Sequence, residues 1–310
     1  MHPAFSILFF TTLAGAAQGL VVALAVAVLA GVPMKAGFLS GALAFSFVLL
    51  LAGLGASFLH LGRKTRAWRA VLMWRTSWMS REVIVLPAFI ALVGVWWLAL
   101  RAGPGDPWQW LLPVLLIAGS LALWYCTAMI YACLRFIEEW AHPLTIANFV
   151  LIGLSSGLVL ACAMAAVAGE AALLQAARPW ALGVTVLAGV VRWVSLARNA
   201  NLRHRSTAKT ATGIQGGRLA QTSMGMSAGA FNTREFFHGA SAVAVANIRL
   251  GFLLLLFVLP ILLMLWGVRS WAAAPWLLAV LLQAPGLLAE RWTFFAQARH
   301  PQNLYYQTVS

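Results

Sequence analysis

Residues 55–87 read GASFLHLGRKTRAWRAVLMWRTSWMSREVIVLP, and they hold the pattern of the whole chain in small. An apolar segment ends at His60. A basic, tryptophan-rich connection follows through Arg63, Lys64, Arg66, Arg69 and Arg75, and then Ser80, Arg81 and Glu82 stand where the next apolar segment begins. A basic connection between two long apolar segments is the pattern of a membrane hairpin with its turn on the charged side. An ionisable residue at the mouth of a span is costly to place there and marks a functional site by default. Here a histidine, His60, and a carboxylate, Glu82, occupy two consecutive mouths on one side.

Working outward, composition extends that reading to the full length. The chain has 310 residues, 62% hydrophobic and 9% charged, where a soluble domain carries about a quarter charged residues. A span needs about 20 predominantly apolar residues. Eight such stretches are readable: Phe5–Gly31, Gly37–Leu61, Trp78–Leu100, Trp108–Leu134, Leu144–Ala168, Trp180–Leu196, Val243–Trp266 and Trp271–Phe295. The expected fold is all-α, a polytopic membrane bundle forming one integral-membrane domain over residues 1–310. The first apolar run is too long for a signal-peptide core and reads as a retained span. Breaks are expected at Gly31-Val32-Pro33, Gly103 to Pro107, His142-Pro143 and Arg178-Pro179, and Trp78, Trp108, Trp180 and Trp271 stand where an interfacial aromatic belt is found.

The formal net charge is +14, and it is unevenly placed. With eight spans the two termini share a side with the second, fourth and sixth connections. That side holds Arg63 to Arg81, Arg135, Arg198, Arg203, Arg205, Lys209, Arg218, Arg234, Arg291 and Arg299, against Lys35, Arg101, Arg178 and Arg269 on the other. The positive-inside rule puts both termini and the His60–Glu82 connection in the cytoplasm. The sixth connection, 198–242, is long, glycine-rich and basic, and reads as a surface for anionic lipid or a soluble partner. Its charge is shared among loops without a binding motif, so no nucleic acid partner is expected.

Cys126, Cys133 and Cys162 lie in apolar stretches without CxxC spacing, so no iron–sulfur cluster or zinc site of the chain's own is expected. The six histidines fall in loops, tails or span ends, whereas a haem protein places pairs deep in facing spans. Haem is therefore not expected either. A transporter would carry polar groups near the midplane, but these span centres are Leu, Val and Ala.

The opening HPAFSILFFTTLAGAAQGL (2–20), the HLG at 60–62 followed by RAWRA (66–70) and SREV (80–83), and NTREFFHG (232–239) resemble the DmsC family of membrane anchor subunits of molybdopterin oxidoreductases. The likeness covers nearly the whole chain, and the pattern is most similar to the branch that serves cytoplasmic sulfite dehydrogenases. The resemblance implies a three-part enzyme of the bacterial inner membrane. A molybdopterin catalytic subunit and an iron–sulfur subunit dock on the anchor's cytoplasmic face, and the anchor exchanges electrons with a quinone, menaquinone or ubiquinone. It also implies that the histidine of HLG and the glutamate opening the third span, here His60 and Glu82, serve the quinone site. Anchors of the dimethyl sulfoxide reductase type, which oxidise quinol, carry their partners on the periplasmic side. The cytoplasmic charge bias therefore favours the sulfite-oxidising branch. A passive anchor without a redox role is the remaining alternative.

The chemistry of the residues agrees with that implication. A quinone carbonyl gains negative charge and then a proton on reduction, so its site needs a hydrogen-bond donor that relays protons. Histidine and a buried carboxyl both serve. Arg63, Arg66 and Arg81 are candidates to stabilise the developing charge, and Ser80 is a further donor. Plainer roles stand beside these: His60 capping a helix-end carbonyl, Glu82 pairing with Arg81 or Arg75 or favouring a helix N-terminus, and the arginines setting topology. Arg203, Arg205, Arg234, Tyr305 and Tyr306 are the expected partner-docking residues. Gln18 and Asn148 read as interhelical hydrogen-bonding residues, and Arg192 and Arg249 as snorkelling side chains or holders of a partner or lipid phosphate. The pairs Gly15–Gly19, Gly37–Gly41 and Gly153–Gly157 have the spacing of close helix packing.

Overall fold

The computed structural model describes residues 3–59, 61, 63–100, 108–217, 219–220, 222–223, 238–270, 272–301 and 303, and the side chains of 108 and 109 are not described. Eight helices among the described residues are long and apolar enough to cross a membrane. They are α1 (Phe5–Leu29), α2 (Ala36–Leu59), α3 (Trp78–Ala99), α4 (Trp108–Ala132), α5 (Pro143–Ala168), α6 (Ala171–Ala200), α8 (Ala242–Ser270) and α9 (Ala273–Ala296). The second connection holds a 3₁₀ segment, Lys64–Val71, and the sixth a short helix, α7, Ala208–Thr212.

The bundle is organised on α1 and α5, its two most buried helices. They can approach closely because glycine faces glycine: a Cβ added at Gly19 would fall 2.0 Å from the Gly153 carbonyl oxygen, and one at Gly157 would fall 2.0 Å from the Gly19 carbonyl carbon. Without water to drive apolar surfaces together, such backbone-to-backbone packing is a main source of helix association in lipid. The third glycine pair behaves differently. Gly37 and Gly41 have open space where a Cβ would stand, and they line a shallow apolar groove with Leu160, Met164 and Leu277. Around the outside, Val26, Val48, Leu98, Leu121, Val190, Trp193, Leu262 and Leu281 are exposed, the apolar girdle that lipid requires.

One proline position departs from the sequence expectation. Arg178-Pro179 does not break a helix: α6 begins at Ala171, nine residues before Trp180, and runs through Pro179. Spans tolerate proline when neighbours re-satisfy the freed backbone groups. Pro260 shows how. It has no N–H for the Leu256 carbonyl one turn back, the helix widens into a π turn over Leu254–Val258, and Gln283 Nε2 donates to that carbonyl at 3.3 Å from α9. At His142-Pro143 the break does occur: His142 caps α5, its Nδ1 accepting from Leu144 N at 3.2 Å, and Pro143 takes the first helical position.

The start of α1, the fourth connection and the end of α9 meet on one face. Leu8 near the start of α1 packs with Ile137 and Trp140 of the fourth connection and with Phe294, Phe295 and Ala298 at the end of the chain. Trp140 Nε1 donates to the Phe294 carbonyl at 2.9 Å, and Tyr131 sits edge-on to Trp140, Phe294 and Phe295. This aromatic plug closes the face that carries the arginines, below called the basic face. On the opposite face Lys35 pairs with Glu170 at 3.9 Å.

Candidate functional site

The basic face is tied together by two acidic residues of the fourth connection. Glu138 Oε1 accepts from Arg205 N at 2.9 Å and the Glu138 carbonyl from Arg198 Nη2 at 3.1 Å. Glu139 Oε2 accepts from Arg299 N at 3.4 Å, and its Oε1 lies 3.6 Å from His204 Nε2. Burial pushes the Glu139 carboxyl above its usual range, against the opposing pull of backbone hydrogen bonds, His204 and Arg299. The fourth connection at Glu138 and Glu139, the segment 198–205 and Arg299 are thus tied into one surface. Arg203 and Arg205 are exposed on it. Arg234, Tyr305 and Tyr306 lie outside the described residues, as does His60.

Just beneath this face is Glu82. Ser77 caps α3 by accepting from Ser80 N at 3.4 Å, which sets Glu82 in the first turn and a half, roughly 6 Å along the helix. Its side chain is turned into the bundle and buried, and Thr127 Oγ1 of α4 donates to its Oε1. No ion pair joins Glu82 to an arginine among the described residues. Arg81, its neighbour, is turned the other way: Nε donates to the Trp74 carbonyl at 2.9 Å, Nη2 to the Arg75 carbonyl at 2.8 Å, and the guanidinium lies 4.0 Å over the Trp78 ring. Arg81 thereby fixes the turn entering α3. Ser80 is buried beside Glu82 in sequence, and Arg63 and Arg66 are exposed at the 3₁₀ segment.

A narrow cavity of about 20 Å³ opens beside Thr127, between α1, α4 and α5. Four of its lining residues bear buried polar atoms without a partner: Thr12 Oγ1, Gln18 Oε1, Trp124 Nε1 and Arg291 Nη1. Gln18 spends its amide nitrogen on the Ala14 carbonyl of its own helix at 2.9 Å, leaving the oxygen free. A buried polar atom without a partner costs about 1–3 kcal/mol, so four around one void mark a place built for a polar guest. The volume suits one water or the tip of a carbonyl.

Arg291 forms the far wall. Its guanidinium stacks over Phe149 at 4.0 Å, and its Nε lies 3.3 Å from Glu290 Oε2. Glu290 in turn lies 2.7 Å from Arg192 Nε, both fully buried. A chain of polar side chains therefore crosses the bundle, from Glu82 and Thr127 past the cavity to Arg291, Glu290 and Arg192. Sequence reasoning singled out both ends of it, Glu82 and Arg192, and Gln18 of the cavity wall. Thr127, Trp124 and Arg291 went unrecognised, although Glu290-Arg291 inside an apolar stretch was a legible signal.

With that geometry in place, the relatives are informative. The family model described as DMSO reductase anchor subunit (DmsC) matches residues 1–297. A sulfite dehydrogenase subunit of Allochromatium vinosum is 45% identical over 100% of both chains. Anaerobic dimethyl sulfoxide reductase chain YnfH of Escherichia coli K12 is 31% identical over 38% of this chain and 42% of its own. The chain belongs to the DmsC family of membrane anchor subunits.

Proposed function

We propose that this anchor is the quinone-reactive subunit of a sulfite-oxidising enzyme of the bacterial inner membrane. Electrons from a molybdopterin subunit reach it through an iron–sulfur subunit, and both partners sit on the cytoplasmic face. The observation that carries the reading is a buried carboxyl, Glu82, held by one hydroxyl at the edge of a cavity with unpaired donors, directly under the face suited to docking. The 45% identity to a sulfite dehydrogenase subunit over the full length of both chains favours that substrate over dimethyl sulfoxide.

A quinone accepts electrons and protons when bound. The chain's own residues supply the rest. Trp124 Nε1 and Arg291 Nη1 are donors without a partner and suit a carbonyl oxygen that gains charge. Thr127 Oγ1 holds Glu82 Oε1 in a fixed orientation, and the Glu82 carboxyl holds or passes the proton. A cavity of about 20 Å³ takes a carbonyl tip and not a ring, so headgroup binding requires lining side chains to part. His60, at the end of the same connection, is assigned to quinone binding on the family resemblance, with Arg63 and Arg66 as exposed charges nearby in sequence.

Three measurements test the reading. Reporter fusions after Ser310 and within residues 203–217 are expected to report cytoplasm; a periplasmic signal from either overturns the placement of the partners. Membranes carrying the complex are expected to reduce quinone with sulfite and not to oxidise quinol with dimethyl sulfoxide, and Arg203→Glu with Arg205→Glu is expected to move sulfite-oxidising activity into the soluble fraction. The reverse substrate preference would instead make the chain an anchor of the dimethyl sulfoxide reductase type.

A further inference from the structure

Glu290 is one carboxylate among three arginines. Arg192 and Arg291 contact it directly, and Arg249 stands one turn from Phe252, whose ring lies 5.6 Å from the Arg192 guanidinium. Arginine stays charged in proteins, so even with Glu290 ionised the group carries two uncompensated positive charges inside the helical region. Arg192, Arg249 and Glu290 lie roughly 9–12 Å from the basic-face ends of their helices. Aromatic faces help: Arg192 lies 5.6 Å from the Phe252 ring, and Arg291 lies over Phe149. They do not cancel charge. Arg192 Nη2 and Arg249 Nε are buried N–H groups without partners, and the Arg192 side chain is 1% exposed.

Buried charge of this kind is kept in a membrane only when something pairs with it. We propose that Arg192 and Arg249 together bind a phosphate group, with Glu290 holding the Arg192 and Arg291 guanidinium groups apart. Phosphate matches the forked N–H donors of arginine. Arg249 supplies the way in: it is half-buried on α8, at the outer side of the bundle, where α8 packs chiefly on α9. The natural sources are the headgroup of a membrane lipid or a free phosphate ion. The site is separate from the Glu82 carboxyl and does not require the quinone reading.

The test is direct binding to the full chain purified in a neutral detergent, read by native mass spectrometry and by titration. The probes are short-chain phosphatidylglycerol, diacylglycerol with the same tails, and inorganic phosphate. Phosphatidylglycerol is expected to bind and diacylglycerol not to. Binding of inorganic phosphate with similar affinity would assign the site to a free ion, and its failure to bind would assign it to the lipid. Arg249→Gln is expected to weaken phosphate-group binding by about tenfold or more, Arg249→Lys to recover part of it, and Arg269→Gln, which removes an exposed charge at the other end of α8, to leave it unchanged. Arg249 is only half-buried and is not in contact with Glu290 among the described ion pairs, so its loss leaves the buried pair intact. Equal binding of diacylglycerol, or equal loss in Arg249→Gln and Arg269→Gln, overturns the proposal.

Discussion

Glu82→Gln is expected to slow sulfite-dependent quinone reduction by about a hundredfold or more, the usual worth of a positioned general acid or base, while sulfite oxidation with a soluble electron acceptor continues at the wild-type rate. The split follows from geometry. Glutamine keeps the shape and can still accept from Thr127 Oγ1, so the packing at α3 and α4 is preserved. Only the exchangeable proton is lost. The surface built on Glu138 and Glu139, proposed for docking, is formed by other segments, so electron delivery from the partners has no reason to change. Thr127→Val removes the hydroxyl and keeps the volume; it is expected to lower the same rate by a smaller factor, because the carboxyl remains but loses its fixed orientation. Full quinone reductase activity in Glu82→Gln would place the proton-handling group elsewhere. An equal fall of both activities would show a loss of assembly and not of chemistry.

The sequence made the spans legible because lipid imposes a uniform requirement: every span must be about 20 residues of apolar side chain whatever it packs against. Seven of the eight expected spans match their helices to within a few residues, or to within the π-widened helix α8. The exception, α6, comes from the weight given to Arg178-Pro179, since proline is a strong breaker in water and a weaker one where neighbours donate to the freed carbonyl. Side-chain direction was the harder matter. Arg81 and Glu82 are adjacent, and adjacent helical residues point about 100° apart; one anchors the turn outside and the other enters the core. Nothing in the sequence distinguishes which arginine reaches a carboxylate. The partners of Glu290 come from α6 and α9, nearly a hundred residues apart at Arg192, and only the tertiary arrangement brings them together. Small-residue spacing showed the same limit: Gly19 and Gly157 meet at a crossing, whereas Gly37 and Gly41, spaced identically, face open space.

That last contrast yields the largest expected effect on stability. Gly157→Ala puts a methyl group 2.0 Å from the Gly19 carbonyl carbon, 2.2 Å from Leu20 N and 2.3 Å from the Gly19 Cα. All three are backbone atoms, so no side chain can turn aside and the two helices must separate. Overpacking in an ordinary core costs about 1–3 kcal/mol; forcing apart the two central helices is expected to exceed about 4 kcal/mol, the range of severe single substitutions. The variant should give little folded protein in detergent and a markedly lowered melting temperature. Gly41→Ala is the matched control. It lies in α2 with nothing within 4 Å of the added methyl, and alanine is the better helix former, so its melting temperature is expected to equal or slightly exceed that of the wild type. The α1–α5 crossing also carries Thr12, Gln18 and Gly153 into the cavity wall. Any Gly157→Ala protein that survives should therefore lose quinone reduction together with stability, in contrast to the split expected for Glu82→Gln. A Gly157→Ala protein that melts with the wild type would show that the two helices do not cross at this glycine contact.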